Sequence, residues 1–151
     1  MHIAPESPDQ PEVIALIAAL DAYQDGLYPP ESRHALDLDA LKRPDVLFHV
    51  ARDDTGRAVG CGAVVLDASL GELKRLYVRP DCRGQGVARG LLQALEAAAS
   101  RAGCERLVLE TGPFQPEALA LYAACGYERR GPFGAYADDP LSVFMQKAIA
   151  P

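Results

Sequence analysis

Apolar positions along this chain alternate between a helical and a strand rhythm, and the switches mark out its elements. Val87, Leu91, Leu92, Leu95 and Ala99 recur three and four apart and predict a long helix, with Gly103 just past its end. Val13, Ile14, Ile17 and Leu20 predict an earlier helix opened by Pro11, with Ser7 or Asp9 as its cap and an end near Tyr23. Leu36, Leu38 and Leu41 predict a short second helix stopped by Pro44. A last helix opens at Pro116, carries Ala118, Leu119, Leu121, Tyr122 and Cys125, and ends at Gly126. Strand-like runs lie around Ile3 and over 46–52, 58–66, 70–78 and 107–109, with others from Tyr127 and over 141–149. Asp53-Asp54-Thr55-Gly56 is a turn signal joining two of them as a hairpin, and Gly60 and Gly62 in the returning strand either admit a close neighbour or weaken it. The order predicts an α/β fold of mixed type: a mostly antiparallel sheet with helices on both faces.

The run from 70 to 78 breaks its own rhythm. Leu73, Leu76 and Val78 step by three and then by two, whereas a regular strand keeps a period of two. An odd step implies one extra residue, so a β-bulge is expected near Lys74–Arg75 of this fourth strand, leaving backbone groups free for an extended ligand. Directly after it comes Arg83-Gly84-Gln85-Gly86, a glycine turn feeding the long helix. Unpaired N–H groups at the positive end of a helix dipole bind phosphate, and the planar fork of Arg83 suits phosphate oxygens.

Phosphate loops come in several kinds. The Gly-Lys-Ser/Thr of an ATPase loop is missing. A dinucleotide fingerprint needs Gly or Ala where Arg89 stands, although Glu110 is placed to serve as its distant acidic residue. A third pattern, Arg/Gln-x-x-Gly-x-Gly/Ala, is met at every position by Arg83-Gly84-Gln85-Gly86-Val87-Ala88. It is the pyrophosphate loop of acetyl-coenzyme A transferases, and here the chain resembles the GNAT superfamily of N-acetyltransferases. A second motif strengthens the likeness: Ala118-Leu119-Ala120-Leu121-Tyr122 followed by Gly126-Tyr127. The resemblance covers nearly the whole chain and is most specific over 70–127.

The resemblance implies acetyl-CoA as co-substrate. Its pyrophosphate would lie on Gly84, Gln85, Gly86, Val87 and Ala88 beside Arg83 and Arg89, and its pantetheine along Leu76, Tyr77 and Val78. Gln115 stands where many relatives carry Asn and offers the same amide on a longer arm. Tyr122 is placed to protonate the departing thiolate, as a phenol can. Glu72 is the expected base for the attacking amine, with Glu110 or water as rivals; the bland alternative is a carboxylate paired with Lys74 or Arg106. The implied reaction is direct acetyl transfer, in a ternary complex, to a primary amine of a small molecule or amino acid. Protein lysines or N-termini are the other acceptors to weigh. A non-catalytic acyl-CoA-binding module and an NAD-binding domain are the rivals from other classes.

Composition narrows the setting. One domain spanning 1–151 is expected. The 49% hydrophobic and 24% charged content is that of an ordinary globular protein. No apolar run long enough for a bilayer and no signal-peptide start occur, so the cytoplasm is the expected compartment and a membrane is not a partner. A net charge of −6 argues against nucleic acid. Lys74, Arg75, Arg79, Arg83 and Arg89 nevertheless form a short basic patch sized for a few phosphates. The four cysteines make no C-x-x-C pair and no histidine stands at ligand spacing, so no metal is expected. Cys61, Cys104 and Cys125 read as small core residues and Cys82 as more exposed. Homodimers are a common family outcome. Two loops, 24–33 with Tyr28, Arg33 and, next to it, His34, and 133–142 with Phe133, Tyr136, Asp138 and Asp139, read either as surface turns or as walls of an acceptor pocket.

Overall fold

A computed structural model describes residues 1–149. Seven strands form one sheet: β1 (His2–Pro5), β2 (Val46–Arg52), β3 (Ala58–Asp67), β4 (Leu70–Val78), β5 (Arg106–Thr111), β6 (Glu128–Arg130) and β7 (Val143–Ala148), in the order β1-β2-β3-β4-β5-β7-β6. All neighbours are antiparallel except β4 and β5. Helix α1 (Pro11–Asp25) and the short α2 (Leu38–Leu41) cover one face, where Val13, Leu16, Leu20 and Leu41 pack on Phe48, Val50 and Tyr77. Helices α3 (Val87–Arg101) and α4 (Pro116–Ala124) cover the other, where Leu92, Leu95 and Tyr122 meet Leu73, Leu107 and Leu109. The mixed sheet with helices on both faces is as expected.

The α3 face buries Val87, Leu91, Leu92, Leu95 and Ala99, the five positions its spacing picks out. In α1 the buried stripe is instead Val13, Leu16, Ile17 and Leu20, and Ile14 stands 40% exposed. A helix rich in apolar residues on all sides gives a poor bearing on which stripe faces the sheet. Its cap is Gln10, without a side-chain bond, and not Ser7 or Asp9. Strand β6 starts at Glu128 rather than Tyr127, whose hydroxyl leaves the strand rhythm to donate to Glu96 at 2.8 Å.

The expected bulge is present. Cys61 pairs with Tyr77 and Ala63 with Lys74, so Gly62 alone faces Arg75 and Leu76. Arg75 takes a left-handed φ of 59°, a strained conformation for a side-chain-bearing residue. A Cβ on Gly62 would come within 2.8 Å of Leu95, so glycine is needed where α3 presses on the bulge. On its other side β4 pairs with β5 only from Leu70–Arg106 to Leu73–Leu109. Past that point the two parallel strands have no ladder between them. A cleft opens through the sheet there.

Candidate active site

Two cavities meet at the cleft. One, of about 490 Å³, runs from the glycine loop along the free edge of β4 to α4, lined by Tyr77, Val78, Arg83, Gly84, Gly86, Val87, Ala88 and Arg89. The other, of about 110 Å³, lies between β4, β5 and the loop after α1. Leu20, Leu76, Gln115, Ala118 and Tyr122 line both. Tyr122 and Gln115 therefore stand at the junction, where a group held in one cavity reaches a group held in the other.

The larger cavity gathers cationic and unpaired N–H groups at the glycine-loop end. Gly84 and Gly86 have φ of 75° and 81°, a region where only glycine is at ease, and these turns aim the loop at the start of α3. Val87 is the first helical residue, so the N–H groups of the first turn are free for phosphate. Arg83 is held in place from behind: its Nε donates to the Val78 carbonyl at 3.1 Å and its guanidinium lies 5.6 Å from the Tyr77 ring centre. Gln85, next to the two glycines, completes the loop. The edge of β4 beyond Leu73 has no strand partner on the β5 side and offers an extended ligand a row of backbone groups.

The smaller cavity is polar. Its roof is the segment after α1, fixed by contacts far apart in sequence. Tyr28 stacks on Phe114 at 5.4 Å and its hydroxyl accepts from the Phe114 N–H at 3.1 Å. The Ser32 hydroxyl donates to Asp139 at 2.8 Å. Lys74 Nζ donates to the His34 carbonyl at 2.8 Å, and Arg75 donates to the Leu36 carbonyl at 2.6 Å and 3.0 Å. The first loop thus lines the cavity through Tyr28, Ser32, Arg33 and His34, while the second reaches it only through Leu141, with Tyr136 and Asp139 bonding the lining residues from outside.

Lys74 and Arg75 do not join the basic patch at the glycine loop. Lys74 Nζ meets the Tyr136 hydroxyl at 2.6 Å and Glu72 at 3.2 Å, while Arg75 reaches Asp21 at 2.5 Å. A run of basic residues reads as one patch only if the chain keeps one direction, and the bulge turns it. Arg79 likewise pairs with Asp81, leaving Arg83 and Arg89 of the five to line the larger cavity.

The two carboxylates differ. Glu72 accepts the Tyr136 hydroxyl at 2.5 Å on the oxygen that also meets Lys74. Glu110 follows Leu109 and so falls one step past the end of the β4–β5 ladder, opposite Lys74. Burial pushes its carboxyl up to about 7, against the downward pull of the nearby Ser142 hydroxyl and of Lys74. The buried Ser142 Oγ has no well-aligned hydrogen-bond partner. Tyr122 is buried on the α4 side, which holds its phenol well above the ordinary range, and its hydroxyl makes no hydrogen bond among the described residues. Cys61 and Cys104 are buried and Cys125 partly so; Cys82 lines the larger cavity. Burial pushes the Cys61 thiol up to about 12. Among the described residues no cluster suited to a metal ion occurs, and no helix is long and apolar enough to cross a membrane.

Residues 14–127 match the family model described as the acetyltransferase (GNAT) family. The chain is 49% identical over 149 residues to an IAA acetyltransferase of Azospirillum brasilense, covering 97% of both chains. It is 37% identical over 153 residues to an uncharacterized N-acetyltransferase of Bacillus subtilis, covering 99% of this chain and all of the relative. Among solved structures, a Klebsiella pneumoniae protein assigned as an acyl-CoA N-acyltransferase superposes with a TM-score of 0.84 at 44% identity, covering 98% of this chain and 97% of the other.

Proposed function

This chain belongs to the GNAT acetyltransferase family, and from that premise we propose that it moves an acetyl group from acetyl-CoA to the primary amine of a small molecule. The observation that carries the reading is the junction of the two cavities at Tyr122. The fit to acetyl-CoA rests on the glycine loop, the free helix N-terminus, Arg83 and the unpaired edge of β4. The thioester, when bound, supplies the acetyl carbon that the amine nitrogen attacks and the sulfur that leaves.

The chain's own residues then divide the proton work. Glu110 takes the proton that the nitrogen sheds as its bond to carbon forms. We assign this step to Glu110 rather than Glu72, because Glu72 is engaged by Lys74 and Tyr136. Tyr122, on the opposite side of the cleft, gives its phenol proton to the departing sulfur as the C–S bond breaks. A phenol lifted above its usual range stays protonated at neutral pH and is ready for that task. Backbone groups of Leu76, Tyr77 and Val78 hold the extended arm, and Gln115 offers its amide at the junction. The cavity under the roof segment favours a small acceptor over a folded protein's lysine.

Calorimetric titration with acetyl-CoA, with NAD as control, tests the reading. Selective binding of acetyl-CoA is expected, about tenfold weaker in Arg83→Ala through loss of a charge-assisted contact. Binding of NAD in its place overturns it. Amines, amino acids and IAA, which the Azospirillum relative's name gives, make up the first acceptor screen.

A further inference from the structure

The charges lining the acceptor cavity close into pairs, with one left over. Arg33 donates to Asp21 at 2.9 Å and also to Asp25. Arg75 shares Asp21 at 2.5 Å and donates from two further nitrogens to the Leu36 carbonyl. Lys74 donates to the Tyr136 hydroxyl and the His34 carbonyl and pairs with Glu72 at 3.2 Å. The His34 ring packs edge-on against Tyr136 at 5.0 Å. Glu110 alone faces the cavity without an ion pair among the described residues.

We infer that the acceptor is a small amine with one positive charge and no carboxylate beside its nitrogen, held through Glu110 as its ammonium, which gives one proton to solvent before the neutral nitrogen attacks and a second to Glu110 as the C–N bond forms. This rests on the reading of the cleft as an acetyl-transfer site. An α-amino acid would bring a carboxylate into a cavity whose cations are already satisfied by the chain's own acids. Seating it would mean breaking one of those pairs or leaving the carboxylate unpaired, and either is costly in a partly buried site. An amine without that group needs only the one free carboxylate. The size of the cavity, about 110 Å³ under a roof pinned at Phe114, Asp139, Lys74 and Arg75, argues the same way against a large acceptor.

Matched acceptors test this on the wild-type chain with acetyl-CoA, following release of free thiol. Phenethylamine against phenylalanine, and butylamine against norvaline, differ only by the carboxylate beside the nitrogen. Rates are compared at one pH near neutrality, where all four acceptors are present almost wholly as their ammonium forms. The amines are expected to exceed the amino acids by about a hundredfold in kcat/KM. In Glu110→Gln both rates fall and the ratio collapses towards one, since the charge that selects the amines is gone. Equal or better turnover of the amino acids overturns the inference, as does a ratio that survives Glu110→Gln. Turnover of none of the four, with acetyl-CoA binding intact by calorimetry, also overturns it while leaving the acetyl-transfer reading in place. Loss of acetyl-CoA binding itself would take down both.

Discussion

Tyr122 and Glu110 both line the smaller cavity beside the opening in the sheet, and each can be questioned by one atom. Tyr122→Phe keeps the packing and removes the phenol proton that we assign to the departing sulfur. We expect kcat to fall about a hundredfold with little change in KM, the mark of an interaction made in the transition state. Glu110 gives two pH signatures. The groups facing it are Lys74 and Glu72 from β4 and Asp139, Tyr136 and Ser142 from the loop and strand behind it. Activity should rise through a limb near pH 7 as the carboxylate ionises, and Glu110→Gln should lose that limb, read from kcat/KM against pH. Stability should move the opposite way. A carboxyl whose folded pKa is raised from 4.5 to about 7 holds its proton longer folded than unfolded, so folding gains below about pH 4.5 and loses that gain as pH climbs to 7. Glu110→Gln should therefore be more stable than wild type at pH 8, by about 1–2 kcal/mol once partial exposure is discounted, and no more stable at pH 4. Denaturant melts at the two pH values check this.

At the scale of elements, what was legible in the sequence is what depends on neighbours in the chain. The glycine loop, the α3 stripe and the odd step that marks the bulge are all local, and all stand where the pattern puts them. The smaller cavity was far less legible. It is made by contacts such as Ser32 to Asp139, 107 residues apart, and Tyr28 to Phe114, 86 apart, which no periodicity announces. The basic run misled for a related reason, since the bulge sends Lys74 and Arg75 to a different cavity from Arg83 and Arg89. The bulge and the roof are also joined mechanically. Arg75 holds the left-handed corner of the bulge and, through its side chain, ties Asp21 of α1 to Leu36 beyond the roof. Arg75→Gly should tolerate the backbone turn, fold, and bind acetyl-CoA much as wild type does, yet lose about tenfold or more in kcat/KM for the acceptor because the roof is no longer tied down. Gly112→Ala attacks the same roof from below. Its Cβ would collide with the Tyr28 hydroxyl, so Tyr28 must leave Phe114, with a stability loss of about 1–3 kcal/mol by thermal melt and a raised acceptor KM.

For the molecule as a whole, the sheet is strongest where its strands are laddered and weakest where β4 and β5 part, and the proposed co-substrate would lie across that gap. Its binding should then be felt as global stability rather than as a local change. A ligand that binds only the folded chain stabilises it by about 2.7 kcal/mol at a hundred times its dissociation constant. For a chain of this length that corresponds to a rise in Tm of several degrees. Acetyl-CoA is expected to give that shift and NAD none. The net charge of −6 makes the chain repel a polyphosphate everywhere except at the local field of Arg83, Arg89 and the start of α3. The shift should therefore shrink as salt rises from low to moderate ionic strength, since screening weakens this local attraction. In Arg83→Ala it should be smaller at every salt concentration and depend less on salt. A shift that ignores both salt and Arg83 would mean that the ligand is held by its pantetheine arm along β4, and that the glycine loop is a helix start and nothing more.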